Sequence, residues 1–163
     1  MRATRKRLEV ALILFDFDGV LTDNRVWVSQ DGAEAVCCNR ADGLGFNLLR
    51  AAGIPCMIVS TEANPVVTQR ARKLGVPVMQ SVADKGEAVR KICCDQGVNP
   101  AHVAFVGNDL NDLPAFRSVG IKLCPCDAAP EVRRVCDCVL RTRGGAGVVH
   151  EIAVRLKWLF RRH

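Results

Sequence analysis

Short apolar segments alternate with amphipathic segments along most of this chain. The apolar segments are of strand length and rich in Val and Ile, and several are apolar at consecutive positions, as strands buried on both faces require. They occupy residues 10–15, 54–60, 76–79, 102–107, 121–124 and 138–140. This alternation predicts an α/β domain with a mostly parallel sheet and helices on both of its faces.

Helix signals follow several of these apolar segments. Asn64 is a good N-cap residue, and the proline after it suits the first turn of a helix. Asp84 is a second candidate cap. The four predicted helices are 44–52, 65–74, 85–96 and 148–160.

One segment, residues 25–39, interrupts the alternation. It reads RVWVSQDGAEAVCCN and places Asp31 and Gly32 between two strand-like stretches, which is a strong signal for a β-hairpin. The hairpin comes directly after the first strand, where a flap over a site would be anchored. Because an isolated two-stranded ribbon is at best marginally stable in water, we expect this apolar hairpin to pack on its own domain or on another chain.

Length and composition indicate one globular domain over residues 1–163, with 49% hydrophobic and 25% charged residues. The net charge of +6 comes from the two ends of the chain, which contribute four bases before residue 8 and four after residue 154. Residues 8–154 carry 15 bases and 17 acids. We therefore treat residues 1–7 as a basic tail and expect no nucleic-acid partner.

No apolar run approaches the roughly 20 residues that span a membrane, and no secretory signal is apparent. We therefore expect a soluble cytoplasmic protein with no membrane partner. The nine cysteines include Cys124-Pro-Cys126 and Cys136-Asp-Cys138, which raise the alternative of a zinc site. Structural zinc sites more often space their cysteines by two residues, and each pair adjoins a strand-like segment, so we expect the thiols to pack in the core.

Polar residues suited to catalysis follow the predicted strands. Asp16 and Asp18 come at the end of the first strand, Ser60 ends the second apolar segment, and Lys85 begins a predicted helix. A second acidic cluster, residues 108–112, follows the segment 102–107. The carboxyl edge of an open α/β sheet is where ligands bind, so these groups are expected to converge there. Each residue also has an ordinary structural alternative: Ser60 as a strand-end cap, Lys85 as a solvated helix residue and Asp112 as a helix N-cap. Their common placement at one edge of the sheet favours an active site instead.

The chemistry of these groups is complementary. Acidic strand ends can hold a hard cation such as Mg²⁺, which prefers oxygen ligands. A hydroxyl and an ammonium group can bind the remaining oxygens of a phosphoryl group. One carboxylate can attack phosphorus while the other transfers the proton.

The motifs DFDGVLTD, Ser60, Lys85 and GNDLND, in this order, resemble the four motifs of the haloacid dehalogenase-like (HAD) phosphohydrolases. The resemblance covers nearly the whole chain and implies a Rossmann-like HAD fold with no large cap domain. The short chain, the hairpin, and the stretches ADGLG at 41–45 and RGGAG at 143–147 resemble one branch of the family. That branch contains phosphatases of 3-deoxy-2-keto sugar acid phosphates and domains attached to acylneuraminate cytidylyltransferases.

The resemblance implies a role for each matching residue. Asp16 is the expected nucleophile and a Mg²⁺ ligand, and Asp18 is the expected general acid and base, with its backbone carbonyl on the metal. Ser60 and Lys85 are expected to hold the phosphate, and Asp112 to orient Lys85.

The resemblance leaves the third metal ligand open. Sugar acid phosphatases commonly read GDD there, and the first Asp of that pair aligns with Asn108, so either Asn108 or Asp109 can fill the position. Kdo 8-phosphate enzymes usually carry an Arg after the hydroxyl motif, whereas this chain has Thr61 and Glu62 there, and Lys73 eleven residues after Glu62. These three are further candidates for substrate binding. The alternative is that Glu62 and Lys73 are surface residues that never meet a ligand.

The sequence therefore predicts a Mg²⁺-dependent phosphatase of a small phosphorylated 2-keto-3-deoxy sugar acid, preferably a nine-carbon, sialic-acid-type 9-phosphate, acting through an aspartyl-phosphate. Two alternatives are a Kdo 8-phosphate phosphatase and a non-catalytic oligomerisation module. The resemblance also implies a homotetramer, with the hairpin at the interface and residues 143–147 near a neighbouring chain's site.

Overall fold

The computed structural model describes residues 8–155 and 160–162, so the expected basic tail at 1–7 lies outside the described residues. The described strands are β1 (Leu8–Val10), β2 (Leu12–Phe15), β3 (Thr22–Val28), β4 (Glu34–Cys38), β5 (Cys56–Val59), β6 (Val78–Met79), β7 (Val103–Val106), β8 (Ile121–Cys124), β9 (Cys138–Val139) and β10 (Phe160–Arg162). The α-helices are α1 (Ala41–Ala51), α2 (Val66–Leu74), α3 (Lys85–Gln96), α4 (Leu113–Phe116), α5 (Pro130–Val135) and α6 (Val148–Val154). Short 3₁₀ turns lie at Pro100–His102 and Leu110–Asp112.

Six parallel strands form the central sheet, in the order β6-β5-β2-β7-β8-β9. This arrangement confirms the predicted α/β fold. Between β2 and β5 the chain holds only the hairpin and α1, so no large cap domain is inserted there.

Two apolar clusters cover the two faces of the sheet. Along β2, Ile13 and Phe15 belong to one cluster, whereas Leu12 and Leu14 belong to the other, as the alternation of side chains along a strand requires. The first cluster includes residues of α1, α2 and α6, and the second includes residues of α3, α4 and α5.

The ends of the chain differ from the sequence prediction. The predicted helix 148–160 ends as a helix at Val154, and Phe160 lies instead in β10, which pairs in parallel with β1. Pairing with β1 supplies backbone hydrogen-bond partners that favour an extended conformation for residues 160–162.

The predicted hairpin is formed by β3 and β4, which pair in antiparallel register with Val26 opposite Val36. On the β4 side, Val36 and Cys38 contact the first apolar cluster. Val26, Trp27 and Val28 are 51%, 75% and 64% exposed.

The two glycine-containing stretches pack closely on neighbouring segments: residues 41–45 on α6, and residues 143–147 on the turn after β2 and the start of β3. In α1, a Cβ atom at Gly45 would come within 2.6 Å of the His150 backbone nitrogen, so only a glycine lets α1 and α6 approach so closely. Asp42 accepts a hydrogen bond from the Val149 backbone N–H at 2.9 Å. The Gly145 N–H donates to the Val20 carbonyl oxygen at 3.0 Å, which ties residues 143–147 to the turn after β2.

All nine cysteines are free thiols, and Cys93 and Cys124 are buried in the core. In the described parts of the chain, no helix has both the length and the apolar character needed to cross a membrane.

Candidate active site

Buried polar residues gather at the carboxyl edge of the sheet. Asp16 follows β2, Ser60 follows β5, and Asn108 follows β7 by two residues. Lys85 is the first residue of α3, and Asp112 closes the 3₁₀ turn after β7. These five residues are each at most 9% exposed, although polar residues are seldom so fully buried. The structure therefore brings together the residues that the sequence placed at this edge.

Lys85 lies between two carboxylates. Its Nζ atom is 2.6 Å from Asp16 Oδ1 and 2.6 Å from Asp112 Oδ1, and all three side chains are almost fully buried. Burial alone would lower the pKa of Lys85, but the attraction of Asp16 and Asp112 outweighs it, so the pKa is raised and the ammonium stays charged. A buried charge is tolerated only when it is paired in this way.

The N-cap of α3 fixes the position of Lys85 in the backbone. Asp84 caps α3, because its Oδ1 atom accepts hydrogen bonds from the N–H groups of Gly86 and Glu87 at 2.6 and 3.1 Å. This cap makes Lys85 the first residue of α3, at the edge where β2 and β7 end.

Asp112 joins Lys85 to the loop after β7. While its Oδ1 binds Lys85, its Oδ2 accepts hydrogen bonds from the N–H groups of Asn108 and Asp109 at 2.8 and 3.2 Å. One carboxylate thus sets the positions of both the ammonium group and the backbone that carries Asn108.

Asn108 faces Asp16 and Asp18, whereas Asp109 does not. In one orientation the Asn108 amide nitrogen donates to the Asp18 carbonyl oxygen at 2.8 Å and to Asp16 Oδ2 at 3.2 Å. Asp109 is exposed, and its side chain accepts a hydrogen bond from the Leu110 N–H. Gly19, at a φ of 78°, leaves the space into which the Asn108 amide fits.

The same three groups fit a hard divalent cation. In its other orientation, the Asn108 amide places its oxygen toward the Asp18 carbonyl oxygen and Asp16 Oδ2, so that three oxygens face one another without a donor. Oxygens grouped in this way are the ligands that Mg²⁺ uses in proteins. Among the described residues, no group of three or more His, Cys, Asp or Glu side chains is arranged to hold a metal, so this set depends on a carbonyl and an amide.

Asp16 itself carries a shifted pKa. Burial raises the pKa of its carboxyl group to about 7, with a further rise from Asp112, while Lys85 and the Phe17 N–H, which donates to Oδ1 at 2.7 Å, oppose the shift. A nearby cation would lower this pKa and keep Asp16 ionised.

Asp18 lies beside Asp16 but is partly exposed. The Thr22 hydroxyl donates to its Oδ1 at 3.2 Å. Burial raises the pKa of Asp18, Thr22 opposes the shift, and Glu62 raises the pKa further. Partial exposure lets this side chain reach a bound molecule and exchange a proton.

A cavity of about 290 Å³ opens next to Asp18, between the hairpin and the loop after β5. Its polar lining includes Arg25, Glu34 and Glu62. Asn64 donates to Glu34 Oε2 at 3.0 Å and joins the hairpin to the loop after β5.

Ser60, Thr61 and Glu62 form that loop. Ser60 is 2% exposed, its N–H donates to the Met79 carbonyl oxygen at 2.9 Å, and its Oγ accepts from the Glu62 N–H at 3.1 Å. Thr61 is exposed. Glu62 lines the cavity, and its Oε1 accepts hydrogen bonds from the N–H groups of Ala63 and Asn64.

Lys73, the remaining candidate for substrate binding, is not part of this cluster. It lies exposed in the last turn of α2. Because α2 starts near the carboxyl edge and its nine residues carry the chain back by roughly 13 Å, Lys73 ends near the opposite edge. It forms no ion pair with Glu62 within the described part of the chain.

Sequence reasoning missed several residues around Asp18. Thr22 had a usable signal, since a hydroxyl four residues after Asp18 can reach back to it within a tight turn. No sequence signal pointed to Glu34 and Asn64, because these residues are 30 positions apart and meet only in the folded chain.

The family model described as haloacid dehalogenase-like hydrolase matches residues 59–152. The chain belongs to this family. A curated relative, the 3-deoxy-D-manno-octulosonate 8-phosphate phosphatase KdsC of Haemophilus influenzae, is 30% identical over 151 residues, which cover 91% of this chain and 84% of the relative. The Escherichia coli K12 protein of the same name is 30% identical over 148 residues, covering 90% of this chain and 79% of the relative.

Solved structures agree with this assignment. A structure described as a HAD family hydrolase from Streptomyces avermitilis is 44% identical, with a TM-score of 0.86 over 88% of this chain and 83% of that one. The 3-deoxy-D-manno-octulosonate 8-phosphate phosphatase of Moraxella catarrhalis, in complex with magnesium, phosphate and KDO, is 29% identical, with a TM-score of 0.87 over 93% of this chain and 87% of that one. The predicted family is confirmed, and the predicted enzyme class, phosphoric monoester hydrolase, is the class of the named phosphatases.

Proposed function

We propose that this hydrolase is a Mg²⁺-dependent phosphatase of a small phosphorylated 2-keto-3-deoxy sugar acid. The observation that carries the proposal is the placement of Asp16 between the Lys85 ammonium, at 2.6 Å, and the Asn108 amide, at 3.2 Å. One oxygen of this carboxylate pairs with the Lys85 ammonium group, and the other faces the oxygens that could bind Mg²⁺. The matching relatives are named as phosphatases of one such sugar acid phosphate.

Asp16 is the residue that attacks phosphorus in this proposal. One of its oxygens forms a bond to phosphorus, the bond between phosphorus and the sugar oxygen breaks, and an aspartyl-phosphate results. Lys85, together with the Ser60 hydroxyl, faces the phosphoryl oxygens and stabilises their charge in the transition state. Asp112 holds Lys85 in position without contacting the substrate.

Asp18 transfers the proton. Because burial raises its pKa, a larger fraction of this carboxyl group is protonated than in an exposed Asp, and it can donate that proton to the departing sugar oxygen. In the second step the ionised Asp18 accepts a proton from the water that hydrolyses the aspartyl-phosphate. The Thr22 hydroxyl, at 3.2 Å, orients the side chain.

The residues suited to hold Mg²⁺ are Asp16, the backbone carbonyl of Asp18 and the side chain of Asn108. When bound there, Mg²⁺ would neutralise phosphoryl oxygens and lower the pKa of Asp16. Asp109 is not in this set, because its side chain caps the following turn.

For the substrate, we propose a nine-carbon 9-phosphate, with the eight-carbon Kdo 8-phosphate as the second candidate. Glu62 supports the longer sugar because it stands in the region where Kdo 8-phosphate enzymes usually carry an Arg, and its carboxylate, in the cavity beside Asp18, can accept hydrogen bonds from sugar hydroxyls. The names of the matching relatives favour the eight-carbon substrate. Lys73, exposed in the last turn of α2, supports neither substrate over the other.

Activity on p-nitrophenyl phosphate with and without Mg²⁺ tests the reaction class, and kcat/KM for matched eight- and nine-carbon sugar acid phosphates tests the substrate. The proposal requires Mg²⁺-dependent turnover and a higher kcat/KM for one of the sugar acids than for simple sugar phosphates. A folded protein without any turnover would instead favour the oligomerisation module.

A further inference from the structure

A second cavity shares no lining residue with the active-site cluster or with the cavity beside Asp18. It has a volume of about 660 Å³ and is lined by Leu113, Phe116, Arg117, Val119, Lys122 and Val135. Cavities of this size are typical of small-molecule sites, which combine an apolar lining with a few polar groups. Nothing in the proposed phosphatase reaction uses this cavity.

Lys122 is the unusual residue of this lining. Its neighbours in β8, Ile121 and Leu123, face the first apolar cluster, so Lys122 faces the other side of the sheet, as Cys124 does. Phe105, its register partner in β7, is fully buried on that same side. Parallel strands of a covered sheet are normally apolar on both faces, so a lysine at such a position departs from the pattern.

The space around Lys122 exists because the helices over this face are short. α4 has four residues and α5 has six, and Lys122 remains partly exposed although Phe105 and Cys124 on the same face of the sheet are buried. The walls of the resulting cavity are apolar: Phe116 and Val119 are buried, and Val135 is 47% exposed.

Two cations border this apolar space. Neither the Arg117 guanidinium nor the Lys122 ammonium forms a salt bridge with a carboxylate of the described chain. Asp137 contacts the backbone of Lys122, because its Oδ2 atom accepts a hydrogen bond from the Lys122 N–H at 2.8 Å. An apolar cavity with two unpaired cations is complementary to a molecule that carries an anionic group on an apolar body.

We propose that this cavity binds a small amphipathic anion, with its carboxylate or phosphate between Arg117 and Lys122 and its apolar part against Phe116, Val119 and Val135. The site is distinct from the phosphoryl-transfer site. Its lining includes Leu113. In the sequence, Leu113 directly follows Asp112, the residue whose carboxylate pairs with Lys85. The ordinary alternative is that Lys122 covers apolar surface with its stem while its ammonium stays in water.

Titration of the ¹⁵N-labelled protein with naphthalene-2-carboxylate, followed by amide NMR, tests the site directly. We expect saturable shifts for residues 113–122 and around Val135, and much weaker binding of the uncharged naphthalene-2-carboxamide. Lys122→Met keeps the stem and removes the charge, so it should weaken carboxylate binding about tenfold, and Arg117→Gln should act in the same direction.

Arg134→Gln is the matched control, because Arg134 is exposed on the neighbouring α5 and pairs with Glu131 at 3.8 Å outside the cavity lining. It should leave the affinity unchanged. Equal affinities for the carboxylate and the carboxamide, or an unchanged affinity in both Lys122→Met and Arg117→Gln, would overturn the proposal. The same holds if these signals shift with protein concentration alone, since a second copy of the chain would then occupy the cavity.

Discussion

Lys85 and Asp112 form a fully buried ion pair, with 2.6 Å between Nζ and Oδ1, and the second oxygen of Asp112 holds the backbone of Asn108. The position of the ammonium group and the position of the amide beside Asp16 therefore depend on one carboxylate. In the proposed reaction Asp112 does not touch the substrate. It acts by positioning Lys85, which is proposed to face the phosphoryl group, and Asn108, which is proposed to hold Mg²⁺.

Replacing Asp112 tests this dependence. Asp112→Asn removes the charge that holds Lys85 and leaves the ammonium paired with Asp16 alone, so we expect kcat to fall at least a hundredfold and stability to drop by about 3 kcal/mol. The measurements are steady-state kinetics and urea unfolding. Asp109→Asn, at an exposed neighbouring position, is the control and should keep both values near those of the wild type. A fully active Asp112→Asn variant would show that Lys85 needs no such anchor.

The position of Asn108 predicts the metal dependence. Because its side chain and not that of Asp109 faces Asp16, Asn108→Asp should add a charged ligand and lower the Mg²⁺ concentration for half-maximal activity about tenfold. Asp109→Asn should change it by less than about twofold. The activity of both variants is measured over a Mg²⁺ titration. The opposite result, a strong effect at Asp109 and none at Asn108, would move the third ligand to Asp109.

Asp42 predicts a pH dependence of stability. Burial raises the pKa of this carboxyl group to about 6, although the Val149 N–H donates to its Oδ1 atom at 2.9 Å and opposes the shift. The folded pKa lies above the ordinary value of 3.8, so the unfolded state holds fewer protons between pH 3.8 and 6 and stability falls as pH rises through that window. The loss should be on the order of 2 kcal/mol.

Asp42→Asn removes this ionisation. Measured by urea unfolding, its stability relative to the wild type should therefore increase from pH 4.5 to pH 7.5. The control is Asp95→Asn, at an exposed residue paired with Lys91. A difference between Asp42→Asn and the wild type that stays constant across this range would contradict the raised pKa.

The exposed hairpin predicts assembly. Val26, Trp27 and Val28 are each at least half exposed although their side chains are large and apolar, which is typical of a surface that contacts another chain. We expect a homotetramer with these residues at the interface, and residues 143–147 near a neighbouring chain's site. In light scattering, Trp27→Lys should lower the assembly mass, whereas Lys91→Glu, on a distant exposed face of α3, should not. A wild-type monomer with full activity at micromolar concentration would contradict this prediction.

The sheet and the convergence of the site could be predicted from sequence because both follow from local patterns. Each apolar segment contains a strand, since a parallel strand covered on both sides needs apolar residues throughout. Asp16, Ser60 and Asn108 come together because they follow parallel strands of one sheet, whose carboxyl ends share an edge. The predicted cap at Asp84 is present and accepts a hydrogen bond from the Gly86 N–H, whereas α2 begins one residue later than predicted, at Val66, whose N–H donates to Asn64 Oδ1.

The remaining features depend on distances in space, which the separation of residues along the sequence does not determine. Lys73 lies eleven residues from Glu62, but α2 carries it away from the site. The short helices α4 and α5 were not predicted, although Pro114 and Pro130 stand in their first turns, because four to six residues are too few to show helical periodicity. The choice between Asn108 and Asp109 depends on which side chain caps the following turn, and that is visible only in the fold.

The central claim is that Asp16 attacks phosphorus. Asp16→Asn preserves the shape of the side chain and removes the attacking charge, so the turnover of p-nitrophenyl phosphate with Mg²⁺ should fall to the background rate while the far-ultraviolet circular dichroism stays that of the folded protein. The measurement is the initial rate at saturating substrate, with Asp109→Asn prepared in parallel. A folded Asp16→Asn variant that keeps about a tenth or more of the wild-type turnover would contradict the covalent mechanism.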